Sequence, residues 1–254
     1  MRLSHKITTI DATDFQISYI GRKWSVQLLA YKAIPMPVRK IQKSHRSLTG
    51  VVPSTKLPNS SQFESSLERD FLHLLEFDST VKSYEVQPLT IEYVDKQGKT
   101  RKYTPDVLVE YLQEPGSTPQ RKVQIYEVKY RNELRANWSV LKPKFRAAIN
   151  YCKATGREFR IITEREIRTD QLFNAQFLNP YKKAPIKADQ ATLLLESMKQ
   201  LGLATPTQLL HHSSPDPSIQ IELLHVLWYL VANRLIACDL SARIHMTTPL
   251  MHIN

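Results

Sequence analysis

The chain has 254 residues, and its hydrophobic content of 42% and charged content of 23% are ordinary for a globular protein of one large or two modest domains. Its two cysteines have no metal-type spacing, no apolar run approaches a membrane span, and the first residues lack the core of a signal peptide. These features argue against a disulfide scaffold, a zinc site and a membrane protein, and predict a cytoplasmic location. The formal net charge is +11, and residues 181–254 hold 6 basic and 5 acidic residues, so nearly all of the excess lies in residues 1–180. Such a basic region predicts a polyanionic partner, most simply nucleic acid.

Residues 34–62 are rich in Pro, Ser, Lys and Arg, and they predict an extended arm or a long loop. Basic arms of this kind often follow the phosphates of a nucleic acid. The alternative is a solvated linker that contacts nothing. The arm residues that we assign to DNA contact are Arg39, Lys40, Lys43 and Arg46.

The next segment alternates between helix and strand patterns. The apolar spacing predicts, in order, a helix that begins near Ser61, strand segments at 81–94, 99–111 and 123–131, a helix at about 142–155 and a strand at 158–167. Two hairpin-type connections and one crossover between these strands predict a mixed α/β sheet flanked by helices.

The pattern becomes helical after a polar segment at 179–190, which we predict to be a linker. Helices are predicted at 191–202, 205–212 and 219–235, and a short hairpin at 235–246. Three helices followed by a hairpin are the order of a winged helix, so we expect a domain at 1–180 and a small winged-helix domain at 181–254. The helix at 219–235 offers few side chains that could read bases, which favours a protein-docking role.

Two strands that read as buried carry charged side chains. Asp106 stands beside the apolar run of "YTPDVLVEY", and Glu127 and Lys129 share one face of "IYEVKYR" because side chains alternate along a strand. A buried carboxylate is costly unless it is paired or binds a metal. Two carboxylates, with the backbone carbonyl of Val128, suit Mg²⁺ or Mn²⁺. The alternative is a surface ion pair between Glu127 and Lys129, with Asp106 capping a turn.

These residues resemble the PD-(D/E)xK nuclease motif, with Pro105-Asp106 as "PD" and Glu127-Val128-Lys129 as "ExK". In such a nuclease, the lysine would hold or deprotonate the attacking water, or stabilise charge on the scissile phosphate. A further carboxylate usually comes from the first helix, and the candidates are Glu64 and Glu68. We favour Glu68, and we attribute Glu64 to the favourable dipole at the helix start.

A more specific likeness extends over about residues 35–170. The runs "SSLERDFLHLLEFDSTVKSYEVQP", "YTPDVLVEY", "IYEVKYR" and "GREFRIITEREI", preceded by "KSHRSLTGVVPST", resemble the TnsA endonucleases of heteromeric transposition systems. The resemblance implies a restriction-endonuclease-like fold with a C-terminal winged helix. It also implies that Glu68, Asp106 and Glu127 are the acidic site residues and that Lys129 is the catalytic lysine.

The resemblance implies a bacterial enzyme that cuts the 5′ ends of a transposon with Mg²⁺ or Mn²⁺. Its expected partners are transposon-end DNA, the DDE transposase TnsB and, through the C-terminal domain, the AAA+ ATPase TnsC. Two alternatives stay open: a stand-alone nuclease of restriction, repair or junction resolution, and a non-catalytic DNA-binding scaffold. Besides the arm, the basic residues that we expect to contact DNA phosphates are Arg131, Arg135, Lys142, Lys144 and Arg146.

Overall fold

The computed structural model describes residues 50–52, 54, 56, 61–113 and 122–253. The predicted arm residues Arg39, Lys40, Lys43 and Arg46 lie outside the described residues. Within the described residues, no helix is long and apolar enough to cross a membrane.

A mixed sheet of four strands forms the centre of the first region. Antiparallel pairs join the first three strands of this sheet, and a parallel pair joins the last two. The mixed sheet predicted from two hairpin-type connections and one crossover is therefore confirmed. The four strands are β3 (Val81–Val86), β6 (Val107–Tyr111), β7 (Val123–Val128) and β8 (Glu158–Ile162).

Two smaller strand pairs accompany this sheet. Each of the first two predicted strand segments is divided, because a separate antiparallel hairpin is inserted between β3 and β6. The hairpin turns at Gly98, whose φ of 76° lies in the left-handed region that favours glycine. The pairs are β1 (Gly50–Val52) with β2 (Ser61–Phe63), and β4 (Ile91–Val94) with β5 (Thr100–Tyr103).

A helix covers each face of the four-stranded sheet. Helix α1 (Ser66–Phe77) packs on the face that carries Val109 and Val128, and α2 (Arg131–Ala154) packs on the face that carries Ile125. Because side chains alternate along β7, Glu127 points to the same side as Ile125, towards α2. This alternation decides which helix can reach the carboxylate.

Helix α2 is much longer than predicted, because it begins at Arg131 and not near Lys142. Its residues 135–140 are all exposed, so they have no apolar periodicity from which the helix could be recognised. Pro143 lies inside the helix and not in its first turn. Pro143 has no N–H to donate to the carbonyl of Ser139, four residues before it. Ser139 is exposed to water, so the proline is tolerated at this point of the helix.

The last part of the chain is mainly helical. From Ala188 onwards its elements follow the order helix, strand, helix, helix, strand, strand, and its three short strands form one sheet with the strand Leu250–His252 in the middle. The elements after β8 are α3 (Glu164–Ile167), α4 (Asp170–Leu178), a 3-10 helix (Asn179–Lys183), α5 (Ala188–Leu201), β9 (Leu203–Ala204), α6 (Pro206–Ser213), α7 (Pro217–Ala232), β10 (Ile236–Cys238) and β11 (Leu250–His252).

Two details of this region differ from the sequence prediction. The hairpin predicted at 235–246 is wrong, because β10 pairs with β11 at Leu250–His252 across a longer loop. The segment predicted to be a linker contains the 3-10 helix and the start of α5. The apolar core of α5–α7 also includes Phe77 from α1 and Leu178 from α4, so part of this core comes from residues that precede position 181.

Candidate active site

Asp106 and Glu127 meet where β6 begins and β7 ends. The register pairs Val107 with Tyr126, and this places Asp106 opposite Glu127. The backbone amide of Asp106 donates to the carbonyl of Tyr126 at 3.1 Å. The backbone amide of Val128 donates to Asp106 Oδ2 at 2.7 Å. The antiparallel pairing therefore brings together two carboxylates that lie 21 positions apart in the sequence.

Three side chains surround the carboxylate of Glu127, which is 1% exposed. Tyr103 donates its hydroxyl to Oε2 at 2.6 Å. Lys144 Nζ lies 2.9 Å from Oε1, and Lys129 Nζ lies 3.8 Å from the same oxygen. Glu127 is thus buried and held by one hydroxyl and two ammonium groups, which satisfies the requirement that a buried charge be paired.

The negative charges of the site act on one another. Burial, followed by the negative charge of Glu127, raises the pKa of Asp106 well above its ordinary value. Burial lowers the pKa of Lys129, but the carboxylates of Asp106, Glu127 and Glu133 outweigh that effect, and the net shift is upward. The site therefore concentrates carboxylates around a lysine that keeps its proton at neutral pH.

Glu68 lies in the first turn of α1, where it takes part in capping the helix. Ser65 is the N-cap residue and accepts from the amide of Glu68 at 3.2 Å. In return, Glu68 accepts from the Ser65 hydroxyl and from the backbone amide of Glu64, each at 2.9 Å. Burial raises the pKa of Glu68, and the positive charge of Lys129 opposes part of this rise. Both oxygens of Glu68 therefore already have a structural role.

The prediction that the helix dipole explains Glu64 is wrong. Glu64 precedes the N-cap and lies outside α1, where its Oε1 accepts from Gln87 Nε2 at 3.0 Å. Glu68 is the acidic residue of the first turn, so the dipole acts on Glu68.

The basic residues predicted to contact DNA fall in different settings. Arg135 and Arg146 are exposed on α2, and Arg131 and Lys142 are half-buried. Lys144 lies on the same helix but points inwards to Glu127. Tyr103 was missed by sequence reasoning, although it is the one aromatic residue of the polar strand "TRKY" and its only buried one.

The donor set fits a hard divalent cation by its chemistry. Asp106 uses one oxygen for the Val128 amide, and Glu127 and the carbonyl of Val128 add oxygen atoms nearby. Burial and, after it, the charge of Glu127 raise the pKa of Asp106, and a cation bound beside it would favour its charged form. Within the part of the chain that the structure describes, however, no group of three His, Cys, Asp or Glu side chains is close enough to hold a metal ion. The fit to a divalent cation therefore rests on the carboxylates of Asp106 and Glu127, because both oxygens of Glu68 take part in the helix cap.

Two family models match the chain, and together they cover well over half of it. The model described as TnsA-like endonuclease N terminal matches residues 78–164, and the model described as TnsA endonuclease C terminal matches residues 166–240. The chain belongs to the TnsA endonuclease family. No curated protein matches it. As a TnsA endonuclease of Tn7-type transposition, it carries Asp106, Glu127 and Lys129 inside the N-terminal match, whereas Glu68 lies before that match begins.

Proposed function

We propose that this TnsA endonuclease cuts the 5′ ends of its transposon with Mg²⁺, for which Mn²⁺ can substitute. The observation that carries the proposal is the convergence of Asp106, Glu127 and Lys129 at the joined ends of β6 and β7. Asp106, Glu127 and the carbonyl of Val128 are the proposed ligands, with Glu68 as a further carboxylate once its cap opens. A cation bound there would act as a Lewis acid on the oxygens of the scissile phosphate.

Lys129 is proposed to act as a proton donor and a positive charge. The surrounding carboxylates raise its pKa, so it stays protonated at neutral pH. A protonated lysine can hold the attacking water through the water's oxygen, or stabilise the negative charge that develops on the phosphate. Of the three roles predicted for the lysine, removal of a proton from the water is therefore the least favoured.

The two predicted regions are proposed to divide the work. Residues 1–180 would form the catalytic domain with its basic arm, and residues 181–254 a winged helix. The order helix, strand, helix, helix, strand, strand supports that assignment. The AAA+ ATPase TnsC is the proposed partner of the second region, whose helix α7 leaves Ile219 41% and Ile221 73% exposed. An exposed apolar surface is typical of an interface.

The test of this function is a strand-resolved cleavage assay on transposon-end DNA, with and without the transposase TnsB. We expect cuts at the 5′ ends that require Mg²⁺ or Mn²⁺ and stop when a chelator is added. Cutting of both strands without any partner would support the stand-alone nuclease. A chain that binds DNA but never cuts it, with every partner present, would support the scaffold.

A further inference from the structure

Lys144 occupies the position where a cation would meet Glu127. Its ammonium group lies 2.9 Å from Oε1 and also over the ring of Tyr103, 4.6 Å from the ring centre, and its side chain is 18% exposed. We propose that Lys144 competes with the metal ion for Glu127, and that a DNA phosphate relieves this competition by drawing Lys144 away. The inference rests on the proposed function, because it requires a metal site at Glu127.

The two oxygens of Glu127 leave little room for a third positive charge. Oε2 accepts from Tyr103, and Oε1 faces both Lys144 and Lys129. A divalent cation that approached Oε1 would meet two ammonium groups, and like charges at such distances repel strongly in a buried site. Cation binding therefore requires that one lysine move. Lys129 also faces Asp106, whereas Lys144 has Glu127 as its one anionic partner within the described part of the chain.

Lys144 can move without a change in the backbone. Its ammonium group sits on a flexible four-carbon stem, and the side chain already reaches the surface in part. Lys129 and Lys144 approach the same oxygen of Glu127, so a scissile phosphate bound at Lys129, as proposed above, would lie close to Lys144. A phosphate offers Lys144 an alternative anionic partner. The arrival of DNA would then leave Glu127 open to the cation.

A purely structural role explains the same contact less well. Glu127 already receives a short hydrogen bond from Tyr103 and the charge of Lys129, so it would not be left unpaired without Lys144. Buried ion pairs are also weak contributors to stability relative to apolar side chains of similar size. The consequence of competition is a positive coupling between DNA and metal, and by linkage each would tighten the binding of the other.

The test measures cation affinity directly. Ca²⁺, which takes the same oxygen ligands, is titrated calorimetrically into the full chain with and without a short duplex that lacks a transposon end. We expect the duplex to tighten Ca²⁺ binding by the wild type about tenfold. Lys144→Met should bind Ca²⁺ about tenfold more tightly than the wild type without DNA, and the duplex should add little further affinity. The control, Lys153→Met, removes an exposed charge from the last turn of α2 and should behave as the wild type does.

A second variant covers the case in which Lys144→Met does not fold. Lys144→Gln removes the charge but keeps a donor for Glu127, and it should show the same tightening of Ca²⁺ binding. If the wild type binds Ca²⁺ but neither variant binds it more tightly, Lys144 only positions Glu127 and the competition is refuted. If the wild type binds no Ca²⁺ even with DNA, the proposed metal mechanism itself fails, and the competition fails with it.

Discussion

The region before residue 168 and the region after it differ in the polar side chains that they bury. In the first, the described residues bury the carboxylates of Asp70, Glu76 and Glu127. In the second, the buried polar side chains are neutral: Asn174, Ser197, Ser214 and Thr248. Because a buried charge is tolerated only when it is paired, each carboxylate in the first region calls for an explanation that the second region does not need.

The buried carboxylates separate into structural and functional ones by their partners. Asp70 joins α1 to the residue after α3, since Arg168 Nε lies 3.0 Å from its Oδ2 and Arg69 pairs with its Oδ1. Glu76 accepts from the hydroxyl of Tyr84 on β3 and from the hydroxyl of Ser54. Glu127 instead lies at a strand end beside Asp106, with two lysines on one oxygen. Burial alone therefore does not identify the active site, whereas the close approach of two carboxylates at adjoining strand ends does.

The largest effect expected in the first region is on DNA cleavage. Asp106→Ala and Lys129→Ala should each reduce cutting of transposon ends by at least about 100-fold, because Asp106 would hold the cation and Lys129 would stabilise the charge that develops on the phosphate. The measurement is the strand-resolved assay, with circular dichroism to show that the fold is retained. Wild-type cutting by either variant would mean that the charge cluster of the first region is structural.

A smaller effect on cleavage should distinguish the two helix carboxylates. Glu68→Gln should reduce cutting at least about tenfold while changing stability by no more than about 1 kcal/mol, since the amide oxygen can still accept in the cap. Glu64→Gln is the matched control and should cut almost normally. The assignment of Glu68 would be overturned by an inactive Glu64→Gln beside a fully active Glu68→Gln, both compared by initial cutting rates.

The pH dependence of stability should reveal the burial of Asp106 beside Glu127. A carboxyl whose pKa is raised on folding stabilises the fold fully below its ordinary pKa of about 4, and that contribution is lost as pH rises through the raised value. In chelator, Asp106→Asn should therefore be more stable than the wild type at neutral pH, and the difference should vanish near pH 4. Urea unfolding between these pH values measures it. Glu92→Gln, an exposed substitution in β4, is the control and should leave the curve unchanged. A difference that grew towards acid pH would contradict the stated electrostatics.

The sequence predicted the parts of this molecule that depend on local pattern. The connections between the strands predicted the mixed sheet, and the strand patterns placed Asp106 and Glu127 on strands that can be neighbours, which the register of β6 and β7 confirms. The start of α2 was missed because residues 135–140 face solvent and carry no apolar period. The inward direction of Lys144 was missed for a different reason. A lysine on a helix reads as a phosphate contact until the tertiary packing of α2 against β7 places it beside Glu127.

The smallest effect concerns where DNA meets the chain, and it compares the two regions directly. Log affinity falls as log salt concentration rises, and neutralising one cation that contacts a phosphate makes this slope shallower by about 0.9. Arg135→Gln, on the exposed start of α2, should lower the slope by about that amount, whereas Lys199→Gln, exposed on α5, should not change it. Neutralising the whole arm should lower the slope by up to about four units; its residues are Arg39, Lys40, Lys43 and Arg46.

The binding measurement for this last prediction is fluorescence anisotropy of a labelled duplex over a range of salt concentrations. Phosphate contacts should weaken binding to all sequences alike, so the change in slope should be the same for transposon-end DNA and for unrelated DNA. A slope that responded to Lys199→Gln but not to Arg135→Gln would place the DNA on the second region. Helix α7 would then have to be reconsidered as a DNA-reading helix, because the nearly neutral charge of residues 181–254 would no longer argue against it.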